Sequence, residues 1–189
     1  MPDLSTIQRW GQELARVLTH GGRVLVCGNG GSAAQAQHLT SELVGRYRDE
    51  RRPFSALALH AESSSVTAIT NDYGYDQVFA RQVGAHGRPG DILIALSTSG
   101  RSPNVIRAVE GARRQGLVTW ALTGMLPNPL AQLCHETVAV PTATVATVQE
   151  VHLVMLHLIC AEVDIAVGAA EQAEDHLDLP EAAPTGALS

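Results

Sequence analysis

No apolar stretch of this 189-residue sequence reaches the roughly 20 residues needed to cross a bilayer, so no membrane-spanning helix is expected. Cationic residues are scarce as well. Thirteen Lys+Arg stand against nineteen Asp+Glu, for a formal charge of −6. Duplex nucleic acid demands a clustered cationic face for its phosphate backbones, and this balance argues against such a partner. It still leaves room for a local pocket that takes one small phosphate. Aromatic residues are only 4% of the chain, and cysteines number three: Cys27, Cys134 and Cys160. Odd in number and without metal-ligand spacing, they fit structural thiols in a reducing compartment. The N-terminal MPDLSTIQRWGQEL lacks the basic-then-apolar pattern of a signal peptide. A cytoplasmic protein without membrane or nucleic-acid partners is expected.

What the sequence does have is a 45% hydrophobic content, arranged in short, β-branched runs. RVLVC (23–27), SALALH (55–60), DILIALS (91–97), VTWALT (118–123) and TVAVP (137–141) are nearly continuous in apolar character. Such runs mark strands buried on both faces, as in a parallel sheet. Residues 4–19, 31–45, 76–86 and 103–115 read as helices, with a shorter one at 63–71. The alternation predicts an α/β fold: a three-layer, doubly wound, mostly parallel five-stranded sheet flanked by helices. A final helix over 147–167 is apolar nearly all round, which suggests burial between layers or between subunits. We read residues 1–168 as one domain. The Ala-, Glu-, Pro- and Asp-rich residues 169–189 read as a flexible tail.

In open α/β sheets, ligands sit outside the carboxyl ends of the strands, and the informative loops fall there. The first strand leaves through Gly28-Asn29-Gly30-Gly31-Ser32, more glycine than a tight connection needs. Backbone amides there can approach a polar ligand closely, and Asn29 adds a side-chain amide. The turn lacks the full dinucleotide spacing, and Glu62 alone makes a weak ribose partner, so a nicotinamide cofactor is rejected. The third strand runs into Ser97-Thr98-Ser99-Gly100-Arg101-Ser102-Pro103. Ser102 before Pro103 fits an N-cap with proline at the first helical position. The hydroxyls together with the helix-start amides make a phosphate site. It is not a Walker loop, so nucleotide hydrolysis is not expected.

His38 and Glu42 stand at i and i+4 on one helix face, a spacing that serves two metal ligands or a proton-transfer pair. Gln149, Glu150, His152 and His157 lie on or near the start of the last helix. His157, between Leu156 and Leu158, reads as a buried histidine in need of a partner. Asn71-Asp72-Tyr73-Gly74 reads as a turn in which Asp72 can accept from a hydroxyl.

Taken together, CGNGGSAAQAQHLTSELVGRY, TNDYGYDQVFARQV, LSTSGRSPNVI, ALTG and VQEVHLVMLHLI resemble the phosphoheptose isomerase family, whose fold is the sugar isomerase (SIS) domain. The resemblance runs from about residue 7 to 165, with the motifs in family order, and begins where many members already carry a further helix. It implies an aldose–ketose isomerase that converts D-sedoheptulose 7-phosphate to D-glycero-D-manno-heptose 7-phosphate through an enediol. It implies substrate contacts at Asn29, Gly30, Gly31, Glu42, Asn71, Asp72, Ser97, Thr98, Ser99, Ser102 and Gln149. It also implies one zinc per subunit at His38, Glu42, Gln149 and His157, and a homotetramer. Glu42 is the expected base and His157 the expected acid. On an ideal helix Gln149 and His157 are roughly 12 Å apart along the axis, which makes Gln149 the least secure ligand. Two alternatives stand beside this reading. One is a non-catalytic relative that binds the replication initiator, and the other is an SIS isomerase of a different sugar phosphate.

Overall fold

The computed structural model describes residues 4–168; the tail expected at 169–189 lies outside them. Five strands, β1 (Val24–Cys27), β2 (Ala56–Ala58), β3 (Ile92–Ser97), β4 (Val118–Thr123) and β5 (Glu136–Ala139), form one sheet in the order β2-β1-β3-β4-β5. Every pairing is parallel. All five predicted strands are present, with no end moved by more than two residues.

Side chains alternate across the sheet as the pleat requires. Val24, Val26, Ile92, Ile94, Leu96, Trp120 and Leu122 join the core on one face. There they meet α1 (Leu4–Thr19), α2 (Gly31–Val44) and α7 (Val145–Val167). Leu25, Cys27, Leu93, Ala95 and Ala121 point to the other face and meet α4 (Val78–His86) and α5 (Pro103–Arg114). Trp10 of α1 stacks on Trp120 with ring centroids 4.7 Å apart, fixing the first layer on the sheet.

The remaining helices refine the sequence reading. α3 (Ser63–Tyr73) is longer than expected, and Asn71, Asp72 and Tyr73 form its last turn, not a separate turn. Gly74, with φ at 84°, ends it. None of the α3 side chains is buried. A 3₁₀ turn, Tyr75–Gln77, precedes α4, and a short α6 (Pro129–Leu133) was not foreseen. α7 is buried along one face only. Val148, His152, Met155, Leu156, Ile159, Cys160 and Val163 face the core, whereas Val154, Leu158 and Ile165 are exposed. The histidine buried in that helix is therefore His152, fully inaccessible, and not His157, which is half-buried.

β1 connects to β2 on one side while β3 lies on the other, so the order reverses between β1 and β3. Crevices outside the carboxyl ends of the strands at such a reversal are where α/β sheets bind ligands.

Candidate active site

The loop from β1 into α2 stands at that reversal. Gly30 takes φ 54°, a conformation that favours glycine, and no side chain caps α2. The next glycine is required for a different reason. A Cβ at Gly31 would lie 2.5 Å from Nε2 of Gln149, so the amide of Gln149 packs directly on the first turn of α2. The side-chain amide of Gln35 also donates to the Gln149 carbonyl. Further along, His38 Nε2 lies 2.8 Å from His157 Nε2. Gly31 meets Gln149 and His38 meets His157, so α2 and α7 run side by side in the same direction.

That packing brings three of the four expected metal and catalytic side chains together. Glu42 Oε1 is 3.4 Å from His38 Nε2, and Tyr47 stacks on His157 with centroids 5.6 Å apart. Gln149 stands apart from them. Its neighbour Gly31 is seven residues before His38, about 10 Å along α2. The trio is chained through a single atom, Nε2 of His38, which faces both partners. Between two imidazole nitrogens at hydrogen-bond distance one must carry the proton. Two imidazoles and a carboxylate are donors that suit zinc. In their present contact, however, no group of three or more His, Cys, Asp or Glu among the described residues is arranged to hold a metal ion. Tetrahedral zinc with bonds of 2.0–2.1 Å sets two ligand nitrogens about 3.3 Å apart, so the imidazoles would have to part slightly to receive it.

The second half of the site is the loop from β3 into α5. Ser102 occupies the cap position before Pro103, yet its hydroxyl accepts no helix N–H. Its Oγ lies 3.2 Å from Ser97 Oγ instead. The backbone N–H of Gly100 donates to Ser97 Oγ at 3.1 Å, and that of Arg101 to Ser99 Oγ at 3.2 Å. The hydroxyls thus line one concave turn. Behind the turn, Thr123 Oγ1 donates to the Ser97 carbonyl at 2.8 Å, and buried Asn128 donates to Thr123 Oγ1 at 3.1 Å. An open cavity of about 440 Å³ lies beside Thr98, Ser99 and Arg101, walled by Met125, Leu126 and Val145 among others. Arg101 is a cation beside the hydroxyls of this loop, and the residue pattern alone assigns it no part.

A bridge joins the two loops. Asn29 and Asn104 exchange side-chain amide hydrogen bonds at 2.9 and 2.8 Å, and Tyr75 Oη donates to Asn29 Oδ1 at 3.0 Å. Asn71 and Asp72 are exposed and bond to each other at 2.8 Å, with no hydrogen bond to the His38 trio. Glu62 caps α3. Hydrogen bonds from the Ser64 hydroxyl, then from Ser65 and the two backbone amides, hold its carboxyl down to about 2. The three cysteines are buried and unpaired, and burial pushes Cys134 and Cys160 up to about 12.

The SIS domain family matches residues 3–124. A phosphoheptose isomerase from Streptomyces coelicolor is 62% identical over 164 residues, covering 87% of this chain and 71% of the relative. The chain belongs to the phosphoheptose isomerase family. Two solved phosphoheptose isomerase structures agree with that membership. The one from Francisella tularensis is 38% identical with a TM-score of 0.82, over 85% of this chain and 86% of that one. The one from Neisseria gonorrhoeae is 40% identical with a TM-score of 0.79, over 86% and 87%. The chain is thus an isomerase of the sugar-phosphate class, and not the non-catalytic initiator-binding alternative. No helix among the described residues is long and apolar enough to cross a membrane.

Proposed function

We propose that this phosphoheptose isomerase family member converts D-sedoheptulose 7-phosphate to D-glycero-D-manno-heptose 7-phosphate in the cytoplasm. One observation carries the reading: Glu42 and His157, from different helices, meet on His38 where α2 and α7 run side by side. A base and an acid are what a carbonyl shift between C2 and C1 needs. Ser97, Thr98, Ser99 and Ser102 receive the phosphate, while Asn29, Gly30, Gly31, Asn71, Asp72 and Gln149 serve the sugar.

Glu42 takes a proton from C1 of the ketose while the C2 carbonyl oxygen gains one, giving the 1,2-enediol. A proton then returns to C2, the C1 hydroxyl releases its own, and C1 becomes the aldehyde. His157 moves the protons on the two oxygens and must carry a proton when it acts as the acid. The atoms of the sugar are conserved throughout, and no oxidant is required.

Zinc, one per subunit, is part of the proposal, with His38, Glu42 and His157 as its ligands. When bound it would polarise the substrate's carbonyl and hydroxyl oxygens. Gln149 serves the sugar in preference, being set apart from the trio and a weaker donor to zinc. Metal content of the purified protein, compared with that of His38→Ala, tests this without recourse to activity. One zinc per subunit, lost in the variant, is expected; equal content in both refutes the assignment.

A homotetramer is proposed as well. The bare α3 helix and the exposed Val154, Leu158 and Ile165 of α7 support association. Light scattering of the eluting protein measures the mass, and a monomer would contradict it. For the reaction itself, the sugar is followed by NMR. Appearance of the manno-heptose 7-phosphate is expected; none from folded, assembled protein would overturn the substrate.

A further inference from the structure

Asn104 is the second residue of α5 and only 2% exposed, so it does not reach a ligand itself. Its orientation is fixed by chemistry. The backbone N–H of Val105 lies 3.0 Å from one atom of the Asn104 amide. A backbone N–H can only donate, so that atom is the oxygen, Oδ1. The other end, Nδ2, then donates to Asn29 Oδ1 at 2.8 Å, and Asn29 Nδ2 donates back to Asn104 Oδ1 at 2.9 Å. Tyr75 Oη supplies a second donor to Asn29 Oδ1 at 3.0 Å.

A side-chain amide has two acceptor lone pairs and two N–H groups. On Asn29 both lone pairs and one N–H are already engaged. One N–H remains on a half-exposed side chain at the reversal between β1 and β3. Asn29 can therefore only donate, and only once.

We infer that Asn104 is a positioning residue that, with Tyr75, holds Asn29 as a single hydrogen-bond donor toward an oxygen of the bound sugar phosphate. The inference rests on the proposed contact of Asn29 with substrate. It narrows what the site accepts at that place to a carbonyl, hydroxyl or phosphate oxygen. A protonated amino group there would set donor against donor, so an amino-sugar phosphate is disfavoured.

The test is a double-mutant cycle on the full chain, with sedoheptulose 7-phosphate as the probe. Asn104→Asp keeps the acceptor for Val105 but places a carboxylate oxygen against Asn29 Oδ1, so Asn29 must turn. Loss of one neutral hydrogen bond gives a drop of about tenfold in kcat/KM. In the Asn29→Ala background the same substitution should change kcat/KM by less than about twofold, because Asn104 acts only through Asn29. An equal loss in both backgrounds, or none in either, overturns the inference. A crystal structure of Asn104→Asp reads the positioning without turnover. Asn29 rotated away from Tyr75 is expected, and Asn29 unmoved refutes the inference. If the unmodified protein does not convert the sugar, the proposed substrate falls and the crystal structure alone decides the role of Asn104.

Discussion

Arg51 and Asp164 form a buried ion pair, Nε to Oδ1 at 2.9 Å, with side chains 0% and 5% exposed. The same guanidinium donates to the carbonyls of Glu42 at 2.6 Å and Leu43 at 3.0 Å, which end α2. Asp164 sits on α7, seven residues after His157. The pair therefore bolts the helix of His38 and Glu42 to the helix of His157.

Removing one partner leaves the other charge buried and unpaired, which typically costs about 3–5 kcal/mol. Arg51→Met should lower the melting temperature by roughly 10 °C or more for a chain of this size, and Asp164→Asn by a similar amount. Thermal unfolding followed by circular dichroism measures it. A change of a degree or two would mean that the pair is not what holds these helices.

Gly31→Ala brings a methyl group against the Gln149 amide. Crowding of this kind costs about 1–3 kcal/mol, and here it should push Gln149 away from the site and reduce turnover. Adding Gln149→Ala relieves the clash. The double variant should recover the stability of the parent without its full activity, as shown by paired melting and rate measurements. If the second substitution restores no stability, the contact is not the cause.

Acid should weaken the fold through His152. Burial holds its pKa below the ordinary 6.5, against the opposing effect of its bond to the Thr123 carbonyl at 3.2 Å. The unfolded chain then binds a proton that the folded chain refuses, so stability falls as pH drops below about 6.5 and is recovered above it. Melting temperatures from pH 7.5 to 5.5 should decline, and less steeply in His152→Gln. Equal slopes would assign the acid sensitivity elsewhere.

Much of the architecture was legible because parallel strands buried on both faces are written as unbroken apolar runs. RVLVC and DILIALS could be little else. The candidate residues His38 and Glu42 were legible too, since i,i+4 spacing places them on one helix face. The partners across the fold were not. Asn29 meets Asn104 and Arg51 meets Asp164 only because the sheet order and helix packing bring distant segments together. A helix apolar nearly all round, such as α7, also hides which of its histidines is buried. The apolar neighbours of His157 suggested that one, yet the helical phase turns His152 inward and His157 toward His38. Asn128 was not legible because its work, pinning the serine-rich loop through Thr123, leaves no local pattern.

The most direct measurement compares Glu42→Gln with the unmodified protein in conversion of sedoheptulose 7-phosphate. Removing a general base of this kind lowers the rate by about 10²–10⁴-fold. We expect that loss together with an unchanged fold and retained binding of the sugar phosphate by calorimetry. Turnover within a few fold of the unmodified protein would contradict the assignment of Glu42 as the base.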